Sequence, residues 1–268
     1  MAQLISRLGP LLADDPPEEW TIDMAGCRYL GPDAAVIIWS TVKLARSEGH
    51  SATVFLPTEP LQLHGFCRYS GLRHLILGEE APDPDHPDNE TIPIEEFEAA
   101  TWNRPDAIVK LISRHTELDR DTEDYLRNCV AEAAQNIEDH ADSPIGGISC
   151  ARYLQNRNEV RIALIDRGEG IWNTLKRQYP DIPNAATALQ MVLKGDHSSK
   201  SRETNAGMGI SLLASIVQHL KGRLLIISQN AIADTSGGNK PNVEVREWNF
   251  PGTCIFFTLP VAQTGQDT

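Results

Sequence analysis

Long hydrophobic runs are missing from this chain. No segment approaches the roughly 20 consecutive apolar residues that cross a bilayer, so no transmembrane helix and no membrane partner are expected. The opening MAQLISRLGPLLADDPPEEW has one arginine and then a proline- and acid-rich stretch, not a continuous apolar region with a cleavage site. A secretory signal is therefore not expected, and a cytoplasmic location is. Cysteine is sparse and unpatterned. Cys27, Cys67, Cys129, Cys150 and Cys254 are odd in number and lack a CxxC pair, which fits reduced, mostly buried thiols better than a disulfide framework or a zinc site. Positive charge is short as well: 24 Lys and Arg against 37 Asp and Glu leave a net charge of −13, the wrong sign for a general binder of nucleic acid. A single small anion remains admissible, because backbone N–H groups and a few local cations can hold one.

What is present is an αβ pattern in two blocks, with no internal repeat. At 268 residues the chain can form one large domain or two ordinary ones. The composition changes at GEEAPDPDHPDNETIPIEEFEAATWNRP (78–105), which is acidic and aperiodic, and whose prolines at 82, 84, 87 and 93 forbid a helix. Read as a linker, it divides the chain into residues 1–80, a connection at 81–104, a second domain at 105–262 and a tail at 263–268. In the first block, WTIDMAG (20–26) and SATVFLP (51–57) read as strands around a helix at 32–50 that opens on Pro32 and ends at Gly49. Residues 60–72 read as a short helix and RHLIL (73–77) as a third strand. In the second block, PDAIVKLISRHTEL and TEDYLRNCVAEAAQNIEDHA read as helices, and GGISCARYL and EVRIALID as a hairpin. A helix follows from about 183 to 194, then a polar segment, the helix ISLLASIVQHL, and three more strands in GRLLIISQ, NVEVREWNF and TCIFFTLP. The expected class is α/β, with a mixed sheet covered by helices.

The chemistry concentrates in the second block. Leu126, Cys129, Val130, Ala133 and Ile137 make an apolar stripe at helical spacing, and Glu132, Asn136 and His140 recur every fourth residue beside it. In ALIDRGEGIW a strand ends at Asp166 and is followed by Gly168 and Gly170. A carboxylate at a strand end can accept a hydrogen bond from an exocyclic amine, and the glycines let a flat ring approach the backbone. In ETNAGMGISLLASIV, Gly207, Met208 and Gly209 precede a helix, whose free N–H groups and dipole favour an anion. PGTCIFFTLP puts Gly252 and Thr253 at the start of the last strand.

Taken in order, Glu132-x3-Asn136, Asp166-x-Gly168-x-Gly170, Gly207-x-Gly209 and Gly252-Thr253 resemble the ATP-binding boxes of the GHKL ATPases, the Bergerat-fold group of DNA gyrase, Hsp90 chaperones, sensor histidine kinases and anti-sigma-factor kinases. The resemblance covers roughly residues 105 to 262 and is greatest to the histidine-kinase and anti-sigma branches. It implies a Bergerat-fold sandwich that binds ATP and Mg²⁺. Asn136 would coordinate the Mg²⁺, and Glu132 would be the general base. Asp166 would accept the adenine amine against a wall shaped by Gly168 and Gly170, with Thr253 nearby through a water. Gly207, Met208 and Gly209 would bring backbone N–H groups to the phosphates, and residues 195–206 would be a lid offering Lys200 and Arg202 to the γ-phosphate. The chemistry is consistent: Mg²⁺ takes oxygen ligands and keeps several waters, and phosphoryl transfer is mainly positioning and charge neutralisation. Each box also has an ordinary reading: a solvated helix edge, an Asp–Gly turn, solvated loop charges, or, for His140, a structural histidine.

Residues 20–77 resemble a STAS domain, the fold of anti-sigma-factor antagonists, with one departure. Where antagonists carry a phosphorylatable serine before the first helix, this chain has LGPDAA. Asp33 there reads either as a permanent negative charge or as an ordinary helix-start acid. The pair resembles a fused partner-switching module: an Mg²⁺–ATP-binding regulator that hydrolyses ATP or phosphorylates Ser/Thr of a protein partner. The alternative is a nucleotide-gated interaction module with little turnover. The family's habit of dimerising leaves a homodimer open. A sensor histidine kinase is not expected, because only about 17 residues separate His115 from Glu132, roughly 25 Å even if they formed one continuous helix, with no room for a dimerisation hairpin. A gyrase-like enzyme is excluded by the acidic charge and the missing cleavage domain.

Overall fold

The computed structural model describes residues 2–9, 17–83, 90–97, 104–195, 209–237 and 241–261. The first block comprises α1 (Ala2–Leu8), β1 (Glu19–Asp23), α2 (Pro32–Ser47), β2 (Ser51–Phe55), α3 (Leu61–Tyr69) and α4 (Leu72–Leu77). β1 and β2 pair in parallel, from Glu19 opposite Ser51 to Asp23 opposite Phe55, with α2 as the crossover between them. The expected third strand is α4 instead. Gly71 and Gly78, both left-handed, bracket LRHLIL as a single short helix, an outcome that an apolar run of this length does not distinguish from a strand.

The second block opens earlier than its composition suggests. Residues 91–97, assigned above to the linker, form β3 (Thr91–Phe97), followed by α5 (Arg104–Ser113), α6 (Arg120–His140), β4 (Gly147–Leu154) and β5 (Glu159–Asp166). β3 pairs antiparallel with β4, and its register shifts between Ile92 and Glu95, around Pro93, which has no N–H to contribute. Proline forbids a helix but is tolerated on an edge strand. That edge is itself covered by the first block, because the Ile94 N–H donates to the Ser70 carbonyl at 2.8 Å. After β5 come α7 (Gly170–Gln178), which the sequence pattern does not reveal, then α8 (Ala185–Lys194), α9 (Gly209–His219), β6 (Arg223–Asp234) and β7 (Asn242–Pro260). The last two expected strands are one, running through Pro251–Gly252. The five strands lie in the order β3-β4-β5-β7-β6, and every pairing is antiparallel, so the sheet is not the mixed one expected.

Both faces of this sheet are covered. Val160, Ile162 and Leu164 of β5 join a cluster with the apolar stripe of α6, where Leu126, Cys129, Val130, Ala133 and Ile137 are all buried as the spacing predicts. Ala163 and Ile165 alternate to the other face. There they join Ile148, Cys150, Ile227, Phe250, Cys254 and Phe256 in a second cluster with Ile5 and Leu8 of α1 and Val36 and Ile37 of α2. α2 packs directly on β4 and β5, so the two blocks share one core across the sheet. Polar contacts reinforce that docking: the Trp39 indole N–H donates to Glu96 at 2.9 Å, and Lys43 donates to the Ile145 carbonyl at 3.1 Å. All five cysteines are free and, except for half-buried Cys27, buried. Among the described residues no helix is long and apolar enough to cross a membrane.

Candidate functional site

α6 supplies the first wall. Asp119 caps it by accepting the Thr122 N–H at 2.7 Å, which fixes the register of the apolar stripe and leaves Glu132 and Asn136 half-buried at its edge. α9 begins against that edge: a methyl group at Gly209 would stand 2.7 Å from Cβ of Glu132 and 3.6 Å from Nδ2 of Asn136. Helix start and polar edge are thus in contact, and only glycine permits it.

The end of β5 supplies the second wall. Asp166 is 2 % exposed, and its carboxylate accepts backbone N–H groups from Gly168, at 2.8 Å, and from Thr253. Burial dominates over these bonds and lifts its pKa from 3.8 to about 6. By itself this group favours folding below about pH 4, and that contribution is lost as pH rises through about 6, where the buried carboxylate must ionise. The two walls join through backbone. The Glu169 N–H donates to the Ala141 carbonyl at the end of α6, at 2.7 Å, and a methyl group at Gly168 would fall 1.7 Å from that same oxygen.

β6 and β7 close the group. Gly252, at φ +100°, lies so near the Asp166 carbonyl that a methyl group would meet it at 2.2 Å. The Thr253 hydroxyl lies 3.2 Å from that of Ser228, which also accepts the Ile171 N–H at 2.9 Å. Gln229 accepts the Trp172 N–H at 3.2 Å. The Ile171 and Trp172 N–H groups in the first turn of α7 are therefore capped by side chains of β6 and not left for a ligand.

The structure thus brings together Glu132, Asn136, Asp166, Gly168, Gly170, Gly209 and Thr253 at one end of the sheet. The space beside Gly168, Gly170 and Gly209 is filled by the protein's own atoms, so close packing alone already requires glycine there. Lys200, Arg202, Gly207 and Met208, with the expected lid, lie outside the described residues, as does the side chain of His140. Asp33 stands in the first turn of α2, near Tyr29 and Arg161. A surface cavity of about 220 Å³ in the first block, lined by Arg68, Tyr69, Glu80, Ala81, Pro82 and Asp83, shares no residue with the site.

One buried residue beside the site carries no mark in the sequence. Arg167 is 3 % exposed, and its guanidinium donates from Nε to the Ser40 hydroxyl at 3.0 Å and from Nη2 to the Thr41 hydroxyl, both on α2. Burial pushes its pKa down to about 10. The motif IDRGEG displays the arginine, but nothing near it in the chain points to partners on α2. No protein-family model matches this chain, and no curated protein does.

Proposed function

We propose that this end of the sheet is an Mg²⁺-dependent ATP site of the GHKL type, on a Bergerat-fold layer to which residues 1–80 add a STAS-like cover. The observation that carries the reading is the contact chain from Gly209 to Glu132 and Asn136, along α6 to Ala141, and on to Gly168, Asp166, Gly252 and Thr253. Described residues from four segments far apart in sequence supply that chain of contacts.

In this reading Asp166, buried and held by two backbone donors, accepts the adenine amine, and Thr253 flanks it. Asn136 faces the phosphate end with the start of α9. Among the described residues no three His, Cys, Asp or Glu side chains cluster as a metal site. Asn136 would hold the ion through its amide oxygen, a hard oxygen donor of the kind Mg²⁺ takes. A bound Mg²⁺ would supply neutralisation of phosphate charge; Glu132, on the same edge, would accept the proton of the attacking water or hydroxyl as its oxygen bonds the γ-phosphorus and ADP leaves. The output is hydrolysis or phosphorylation of a Ser/Thr on a protein partner. The second reading, a nucleotide gate with little turnover, is favoured by the shared core, which gives the first block a direct mechanical connection to the site.

The test is turnover against binding. Glu132→Gln is expected to lower the ATP hydrolysis or transfer rate by about a hundredfold or more while the Kd for ATP changes by less than about threefold. Wild-type protein that binds ATP without turnover contradicts the enzyme and leaves the gate. A pH series adds a check on Asp166. An amine donor favours the ionised carboxylate, so ATP affinity is expected to fall about tenfold per pH unit below about 6, measured by calorimetry. Asp166→Asn is expected to flatten that profile; an unchanged profile would place the adenine elsewhere.

A further inference from the structure

Among the described residues Asp166 and Arg167 are the two charged side chains that are buried, and they are neighbours in the chain. Strand alternation sends them to opposite sides of the sheet: Leu164 of β5 belongs to the helix-side cluster and Ile165 to the cluster shared with α2. Asp166 therefore serves the candidate site, and Arg167 serves the first block.

On its side Arg167 is held through Nε and Nη2. Ser40 and Thr41, 0 and 2 % exposed, donate their own hydroxyl protons back to the Ile37 carbonyl at 2.9 and 2.7 Å, which leaves their lone pairs to the guanidinium. Nη2 also reaches the Ile37 carbonyl at 3.4 Å, and the guanidinium stacks 4.1 Å from the centre of the Phe250 ring. The backbone N–H of Arg167 donates to Ser143 just beyond α6, at 3.2 Å. Yet Nη1 is buried without a hydrogen-bond partner. A buried ionic group satisfied this incompletely is a poor stabiliser, and an apolar side chain of similar volume would often serve stability better. What the arginine provides that an apolar residue would not is a directional tie. It fixes the residue next to Asp166, in a turn already pinned by Gly168 and Gly252, to one face of α2.

We propose that Arg167 is a positioning residue through which α2 sets the placement of Asp166, so that docking of the first block and nucleotide binding are coupled. The proposal rests on the ATP reading given above. Coupling of this kind is reciprocal: if α2 docking strengthens nucleotide binding, nucleotide strengthens α2 docking by the same factor. The first block then regulates the site through the sheet, without touching nucleotide itself.

The experiment uses the full chain, with Arg167→Met and the double variant Ser40→Ala/Thr41→Val. Calorimetric titration with ATP and Mg²⁺ is paired with hydrogen exchange of the α2 amides with and without ATP. Both variants are expected to weaken ATP about tenfold or more, while the melting temperature of unliganded Arg167→Met falls little or rises. ATP is expected to slow exchange across residues 36–45 in the wild type and to lose that effect in Arg167→Met. Should Arg167→Met fail to fold, the double variant decides the matter on the same two measurements. Wild-type Kd values in the variants, or α2 exchange indifferent to ATP in a wild type that binds it, overturn the coupling alone. A wild type that binds no ATP overturns the site and the coupling together.

Discussion

Residues 105–262 expressed alone are expected to be insoluble or molten. The composition suggests a self-contained domain after a linker, but the structure gives that piece an uncovered sheet. Ile148, Cys150, Ala163, Ile165, Ile227, Phe250, Cys254 and Phe256 are each at most 6 % exposed, and they pack in one cluster with α1 and α2. Losing the burial of these side chains forfeits on the order of 10 kcal/mol, at about 25 cal/mol per Å² of apolar surface. Whole domains are stable by about 5–15 kcal/mol, so the loss is of the size of the total. The cut also removes β3, exposing β4 as an edge strand, and takes from Arg167 its Ser40 and Thr41 acceptors. The measurement is sedimentation, near-UV circular dichroism and dye binding of the fragment beside the full chain. A soluble fragment melting cooperatively within a few degrees of the full chain would show that the cover is dispensable.

Replacement of Gly168 by alanine is expected to be the most damaging glycine-to-alanine change among the described residues. The new Cβ would lie 1.7 Å from the Ala141 carbonyl oxygen, 2.4 Å from its carbon and 2.9 Å from its Cα, so backbone and not a pliable side chain must yield. The same oxygen accepts the Glu169 N–H at 2.7 Å, the bond that holds the end of α6 to the turn after β5. Overpacking against rigid backbone with loss of one buried hydrogen bond costs about 3 kcal/mol or more, roughly 6–12 °C in melting temperature for a chain of this size. Gly26→Ala is the control, since no atom lies within 4 Å of a methyl group there, and it is expected to melt like wild type. Measured without nucleotide, a Gly168→Ala protein as stable as Gly26→Ala would mean that the turn adapts and that the glycine serves something other than packing.

The packing around Gly168 also marks where sequence patterns stop being informative. The stripe of α6 is fully legible, because five apolar residues at helical offsets leave little alternative. The half-buried edge carrying Glu132 and Asn136 follows from it. The DxGxG stretch is legible as special, but its glycines suggest a ligand's approach when the nearest atoms are those of Ala141, Ser228 and Gln229. Close packing between distant segments leaves no local signature. LRHLIL cannot be told from a strand because an apolar run this short between two glycines fits either. β3 is hidden because acidic and proline-rich composition speaks against helices and not against an edge strand. Arg167 is hidden most deeply: its acceptor Thr41 is 126 positions away, and only the core shared by the two blocks brings α2 to that face of the sheet.

Whether the ends of α6, β5 and α9 form one ATP site is decided by equilibrium binding of ATP with Mg²⁺ to the full chain, with Asn136→Ala and Asp166→Ala beside it. One ATP per chain is expected, with Asn136→Ala losing most of the Mg²⁺-dependent part of the affinity. Asp166→Ala is expected to weaken binding about tenfold to a hundredfold, the value of a hydrogen bond to a charged group. Absence of binding by the wild type, or binding that both variants leave unchanged, would refute the site.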